Sequence, residues 1–447
     1  MASKSKRARL APEHDLSKSF AWWAFGIFVL KVIASINING GAWYAADGVS
    51  YVKGVEALLN DGIFADQQVL TYWPAGYPIV MYALSIFGIN WLLSTVGIFQ
   101  SALYSFAVFY FATQLLETRL RKFVKISFFL ILLNPTLSLS SLSIGYESLA
   151  ASGSLIIIGI IVKDLSHKAQ DNFIKSLILV AVISGILAFI QPRLIVAGVL
   201  TLVIWILARK PRKTAPYFLI ISITILLLFP SSVIFRNEKA SGISAISTNL
   251  GVTMNIGAGD LATGGYDSKE RGVECEINSP DPEVADSKRV LCVLDWYLDN
   301  PAKTAKLFYN KSIYFWSPWS GPVLSGTMRL NPWLKINPVT NIIQNPEGAK
   351  LVYGAFGKFM AYLWIFSGLT LLIYGFLLLW RAGGIERLIG TFALVIIFSS
   401  WAITLISIGD HRFRLPIMGM SLFLQSVGIK TLLAGRKSQI ADQPSLR

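Results

Sequence analysis

Apolar runs of about 20 residues recur along the whole chain, and no other feature restricts its fold so strongly. In lipid the backbone polar groups have no water to bind, so a run of this kind closes into a helix that satisfies them internally. Ten such segments are read, at 20–38, 91–116, 124–143, 147–162, 174–190, 194–208, 216–235, 358–380, 388–407 and 415–433. Of the 447 residues, 54% are hydrophobic and only 15% are charged. A soluble domain carries charge on nearer a quarter of its residues. The 13 Trp and 16 Tyr suit aromatic belts at the two interfaces. The expected fold class is an all-α polytopic membrane protein of about ten transmembrane helices, with interfacial helices and an extracytoplasmic cap.

A net charge of +15 suggests nucleic acid, but the distribution of that charge argues against it. Lys and Arg gather in short segments between apolar runs: Lys4 to Arg9, Arg119 to Lys125, Arg209 to Lys213, and Arg436-Lys437. That is the positive-inside pattern of cytoplasmic loops. The first apolar run follows a basic leader and lacks a small-residue cleavage site, so it reads as a retained helix. The stretch Tyr77 to Ile89 is apolar but only about 13 residues long, too short to cross comfortably. An even number of crossings must separate the two inside segments 4–9 and 119–125, so 77–89 is expected to be re-entrant or interfacial. Loops 163–173, 209–215 and 381–387 then fall in the cytoplasm with the tails 1–19 and 434–447. Segments 39–90, 144–146, 191–193, 236–357 and 408–414 fall outside. The expected organisation is a membrane core at 20–235, a cap at 236–357 and a C-terminal membrane part at 358–433.

In the first outer segment, Val52, Val55, Leu58 and Leu59 form an apolar stripe that predicts an amphipathic helix over 49–60, lying flat in the interface. The turn Trp73-Pro74-Ala75-Gly76-Tyr77-Pro78 follows it. The cap holds both cysteines, Cys275 and Cys292, on the side where disulfides persist. They are either a bridge worth roughly 3 kcal/mol or two free thiols. The cap is rich in aromatics, among them Trp296, Tyr297, Trp316 and Trp319. Its carboxylates Asp260, Asp267, Glu270, Glu274 and Asp281 read as solvated loop charges.

Polar residues at the outer ends of the spans are the chemical candidates: Asp47, Glu147, Arg193, Arg236 and the group Asp410-His411-Arg412-Phe413-Arg414. Basic residues run against the topological bias there, and a lipid phosphate is their natural partner, since the Arg fork binds phosphate oxygens in two-point geometry. Each has a plainer reading. Asp47 is equally placed to cap the helix that follows it. Glu147 could complement a helix dipole. Arg193 could snorkel to headgroups, and Arg236 could be an ordinary boundary residue. Residues 410–414 could satisfy one another as salt bridges. Lys31 is the one ionised side chain well inside a proposed span. The three histidines, His14, His167 and His411, form no metal cluster in sequence, and no phosphate loop, dinucleotide fingerprint, zinc-protease or nucleophile-elbow motif is present.

Four stretches, in this order, resemble the GT-C membrane glycosyltransferases, in particular the dolichyl- or polyprenyl-phosphate-mannose protein mannosyltransferase branch. The first is Asp47-Gly48-Val49-Ser50-Tyr51 with Ala57-Leu58-Leu59-Asn60-Asp61-Gly62 and Tyr72 to Pro78. The second is Asn134-Pro135 with Tyr146-Glu147. The third is Arg236-Asn237 with Ser247 to Gly251 and Asn255-Ile256-Gly257. The last is His411-Arg412-Phe413-Arg414-Leu415-Pro416-Ile417. This chain departs from the family pattern in having Gly48 where a second acid is common, Glu147 in place of Asp, and Arg193 after Pro192.

The resemblance implies an inverting, metal-optional transfer of a sugar from a polyprenyl or dolichyl phosphate at the outer leaflet. Asp47 would be the general base, with Glu147 as a second catalytic acid residue. Arg412, Arg414, His411, Arg193 and Arg236 would hold the lipid phosphate, and Tyr51, Trp73 and Tyr77 would contact sugar or acceptor. No cofactor is required on this reading, although a divalent metal is compatible with it. The partners would be the lipid-linked donor, a glycan, lipid or protein acceptor, and the bilayer. The lipid groove would lie near 358–433. The short loops fit a bacterial plasma membrane with both termini cytoplasmic. A flippase or transporter of an anionic glycolipid is the alternative, and a non-catalytic partner of a glycan assembly complex a third.

Overall fold

A computed structural model describes residues 2–38, 41–44, 47–166, 173–266, 272–318 and 345–441, without the side chains of 2–14, 352–353 and 435–441. Most of the 163–173 loop, His167, Asp267, Glu270, Trp319, much of the cap's second half and the end of the C-terminal tail therefore lie outside the described residues.

The elements run α1 (Ala2–Asn37), β1 (Trp43–Tyr44), α2 (Gly48–Asp61), α3 (Val69–Tyr72), α4 (Gly76–Leu84), α5 (Leu92–Leu116), α6 (Arg121–Leu132), α7 (Pro135–Leu139), β2 (Ser143–Ile144), α8 (Glu147–Ser166) and α9 (Phe173–Ile190). They continue as α10 (Ile195–Arg209), α11 (Ala215–Ser241), α12 (Leu250–Ile256), α13 (Pro282–Asp299), α14 (Pro301–Trp316), α15 (Pro346–Tyr353), α16 (Ala355–Ala382), α17 (Gly384–Ile406) and α18 (Leu415–Ala441). Among the described residues, nine helical segments are long and apolar enough to cross a membrane, or ten if one bent pair counts as a single span. The protein is an all-α polytopic membrane protein.

The bent pair corrects one expectation. The run 124–143 is not one helix: α6 stops at Leu132, and Pro135–Leu142 leaves it at 54°. Pro135 has no N–H to give and disfavours helical backbone in the residue before it. Asn134 accordingly sits at φ −60°, ψ 117°, where its side chain accepts from the Leu137 N–H at 2.9 Å and caps the new helix. The short apolar stretch near 77–89 is a helix too short to cross, Gly76–Phe87.

The centre of the bundle is α8, with 89% of its most apolar window buried. Its first turns are small, Ser148, Ala150, Ala151, Ser152 and Ser154, all buried, which lets neighbouring backbones approach as membrane helices require. Helices α5, α9 and α18 pack around it, with α16 on α18, α11 on α9 and α1 on α5. Lys31 of α1 is buried against α5, its ammonium 4.2 Å from the Tyr104 ring centre. The Tyr104 hydroxyl in turn donates to the Ile131 carbonyl at 2.5 Å, beside the break in α6.

Helix α2 forms with its apolar face turned slightly from the expected stripe. Tyr51, Gly54, Val55 and Leu58 are buried, while Val52 and Leu59 are half-buried, because α2 packs on α3 and α4. The turn between α3 and α4 docks on the end of α9. A Cβ on Gly76 would lie 1.8 Å from the Phe189 carbonyl oxygen, so only glycine permits the contact. In the cap, Cys275 and Cys292 form a disulfide with Cα atoms 6.1 Å apart.

Candidate functional site

Two of the candidate acids are brought together by a ladder two residues long. β1 and β2 pair in parallel, Trp43 with Ser143 and Tyr44 with Ile144. Asp47 stands three residues past Tyr44, and Glu147 three residues past Ile144. Each acid thus stands at the start of its helix, α2 or α8, and both chains leave the ladder at the same end. Gly48 makes the approach possible: a Cβ there would lie 2.9 Å from the Ile144 oxygen and 3.1 Å from Tyr44 Cβ. That is a physical reason for glycine at the position after Asp47. The loop carrying Glu147 is fixed from behind. Gln100 donates to the Ser141 and Ser143 carbonyls at 3.3 and 2.9 Å. Tyr77 donates to Gln100 Oε1 at 3.3 Å and accepts from the Gly145 N–H at 2.9 Å.

Asp47 occupies the N-cap position of α2, yet its side chain accepts no capping bond. Its Oδ2 instead meets Arg412 Nη1 at 2.5 Å, with both side chains 13% exposed. This geometry decides against plain capping, since a capping carboxylate would turn to the free N–H groups of the first turn. Glu147 is buried, and Arg412, Asp47 and Arg193 all act on it electrostatically. Asp410 is wholly buried beside Arg412, with Oδ2 3.7 Å from Nε.

Arg412 and Arg414 do not form one cradle. Residues His411–Arg414 make a 3-10 turn, in which residues three apart lie on the same face. His411 and Arg414 therefore point one way and Arg412 another. The His411 Nδ1 pairs with the Ser317 carbonyl at 2.7 Å, and Arg414 Nη1 donates to the Trp316 carbonyl at 2.8 Å. Both grip the C-terminal end of α14, where a helix leaves carbonyls without partners. These two residues fasten the turn to the cap; Arg412 alone of the three meets Asp47.

Arg193 sits in the 192–194 turn after α9, its guanidinium 3.8 Å from the Phe413 ring centre and 5.7 Å from that of Tyr146. It stacks inward over the cluster, where it acts on Glu147 and Asp410. Arg236 goes elsewhere. Its Nε donates to the Ile63 carbonyl at 2.9 Å, its Nη1 to Asn237 Oδ1 at 3.0 Å, and its Nη2 to the Ala65 carbonyl. It straps the loop after α2 to the end of α11.

Tyr51 lies within the cluster, buried, with its ring edge-on to Tyr77 at 4.9 Å. Burial first, and then the charge of Asp47, push its hydroxyl well above the ordinary tyrosine value, so it stays a donor. Tyr77 is fully buried and serves as a strut, its hydroxyl likewise pushed up by burial. Trp73 is half-buried against Tyr72. Among the described residues no three His, Cys, Asp or Glu side chains converge as a metal set.

The constellation that results is three carboxylates, Asp47, Glu147 and Asp410, around the guanidinium groups of Arg412 and Arg193, with Tyr51 and Tyr146 as aromatic walls. It can orient an anion on the arginines beside a carboxylate able to take a proton. Asp410 was visible in sequence only as one member of a charged run.

No protein-family model matches the chain, and no curated protein does. Among solved structures, the archaeal oligosaccharyltransferase AglB from Archaeoglobus fulgidus, in complex with an inhibitory peptide and a dolichol-phosphate, is similar with a TM-score of 0.47 and 12% identity, over 96% of this chain and 53% of that one. The chain thus spans about half the length of that protein. A likeness this slight assigns no chemistry.

Proposed function

We propose that the protein is an integral-membrane glycosyltransferase that moves a sugar from a polyprenyl- or dolichyl-phosphate donor to an acceptor hydroxyl at the extracytoplasmic face, with inversion. The observation that carries this reading is the Asp47–Arg412 contact at 2.5 Å, which sets a carboxylate beside a guanidinium with Arg193 and Glu147 around them. In the reaction the acceptor oxygen bonds to the anomeric carbon and the carbon–oxygen bond to the lipid phosphate breaks. The electron pair leaves on the phosphate, and the hydroxyl proton passes to Asp47. A carboxylate suits the proton transfer. Arg412 and Arg193 stabilise the charge that grows on the leaving phosphate. Because the leaving group already carries negative charge well, no general acid is needed. Glu147 fits a role in holding Arg412 and the sugar, and Tyr51 one of donating to the acceptor or sugar.

The test is mass spectrometry of products formed by the purified protein from a panel of polyprenyl-phosphate sugars, with Asp47→Asn as control. Asp47→Asn inserts and folds but loses transfer by about a hundredfold or more. Full turnover in that variant removes Asp47 as the base.

Transport of an anionic glycolipid draws on a different observation. Transporters place charge within the membrane beside broken helices, and Lys31 sits over Tyr104, whose hydroxyl reaches the break between α6 and α7. Lipid translocation in liposomes without any new glycosidic bond would favour that reading.

A further inference from the structure

We infer that Asp410 is a positioning residue, which fixes the orientation of Arg412 toward Asp47 without touching a reactant. The inference rests on the transferase reading above and deepens it.

Asp410 is 0% exposed and lies between α17 and the 3-10 turn, in extended backbone at φ −146°, ψ 133°. Its Oδ1 accepts from the Arg412 backbone N–H at 3.0 Å. Its Oδ2 lies 3.7 Å from Arg412 Nε. One carboxylate therefore addresses the main chain and the side chain of the same residue. The guanidinium is held between two acids, Nη1 on Asp47 and Nε facing Asp410. Neither Asp410 Oδ2 nor Arg412 Nε has a hydrogen-bond partner among the described residues, so each is the other's nearest complement.

A cap alone does not account for this residue. Ser or Asn caps a turn about as well without placing a charge in the interior, and burying a carboxylate is costly unless a cation compensates it. The charge is what Asn would lack, and the cation it meets is Arg412.

The groups that act on Asp410 are Arg412, Asp47 and Arg193. Burial, the largest influence, and the charge of Asp47 raise its carboxyl to about 6, against the pull of Arg412, its N–H and Arg193. Below that pH Asp410 takes a proton and releases its hold on the Arg412 side chain while keeping the turn capped.

The experiment is a double-mutant cycle on the full-length protein in nanodiscs, using Asp410→Asn, Arg412→Gln and the double variant. Turnover is read with a polyprenyl-phosphate sugar, and affinity with undecaprenyl phosphate. Asp410→Asn is expected to lower kcat about tenfold, with donor KM changed far less, and to add less than about twofold on the Arg412→Gln background. Wild-type kcat falls on the acid side near pH 6, and that limb moves or flattens in Asp410→Asn, where the other carboxylates of the site remain. Equal losses on both backgrounds, or wild-type kcat with an unchanged acid limb, overturn the inference. If Asp410→Asn does not fold, Asp410→Ser, which keeps a capping oxygen, takes its place in the cycle. If wild-type protein transfers no sugar, the transferase reading fails, and the cycle is then scored on melting temperature in nanodiscs. Non-additivity there keeps Asp410 as the partner that orients Arg412, and additivity removes it.

Discussion

Arg412 places Nη1 2.5 Å from Oδ2 of Asp47, a residue 365 positions earlier in the chain. The contact joins the start of α2 to the turn before α18, so the segment that follows the first apolar helix and the last such helix share one site. Charge-assisted pairs of this kind depend on both partners, and removing either leaves a charge in poor solvent.

Lysine does not replace Arg412. Its ammonium is a point charge that cannot face Asp47 with one donor and Asp410 with another. Arg412→Lys should therefore lose roughly a hundredfold in kcat while the protein still elutes as a folded species, which size-exclusion chromatography of the detergent-solubilised variant reads directly. Turnover within threefold of wild type would mean that charge alone suffices.

Two other arginines separate by role. Arg193, stacked on Phe413 at 3.8 Å, should govern donor recognition, and Arg193→Ala should raise donor KM about tenfold or more, a charged hydrogen bond being worth roughly 1.5–3 kcal/mol. Arg236 holds the Ile63 and Ala65 carbonyls. Arg236→Ala should lower the melting temperature and leave donor KM close to wild type in the surviving protein. Steady-state kinetics paired with thermal unfolding distinguishes the two.

Gly76 and Gly48 differ in what a methyl group would strike. At Gly76 it would meet the Phe189 carbonyl at 1.8 Å, an overlap no rotamer relieves, so Gly76→Ala should destabilise by about 3 kcal/mol or more. At Gly48 the nearest atom is the Ile144 backbone oxygen at 2.9 Å, a smaller overlap that the ladder relieves only by moving its own backbone. Gly48→Ala should fold, with activity reduced more than stability, as melting curves and turnover measured on one preparation would reveal.

Lys311 offers a prediction about pH. It is fully buried in the cap, donating to the Tyr297 hydroxyl at 2.7 Å and the Leu405 carbonyl at 2.9 Å. Burial lowers its ammonium from 10.5 to about 7. The folded state thus binds fewer protons than the unfolded chain between those values, so stability rises with pH across that window, and the cost of the buried charge is felt in full below about 7. Lys311→Met should raise the melting temperature more at pH 6 than at pH 9. An equal change at both would show that the lysine is paired with an anion.

Much of the architecture was legible because bilayer thickness sets the length of an apolar helix, and the boundaries of α5, α9 and α16 follow from it. The break in α6 was legible in principle from Asn134-Pro135, but a run of apolar residues on both sides outweighed it. Asp47 and Arg412 were legible as misplaced charges at span ends. Their direct contact was not, since it depends on how α2 and α18 meet across the bundle. Nor was the division between Arg412 and Arg414. Two arginines separated by one residue share a face in neither an α-helix nor a 3-10 turn, but the conformation of 411–414 had to be known before that rule could be applied. The pairing of β1 with β2 had no periodic signal at all, because two residues are too few for alternation.

That two-residue ladder has a consequence for tolerance to change in length. The arms from ladder to acid, Tyr44 to Asp47 and Ile144 to Glu147, are equally long. Inserting a single residue into either would break the equal count and shift one acid against the ladder and against the other acid. The spacing of these two short segments is therefore a ruler, and lengthening both together would disturb the site less than lengthening one.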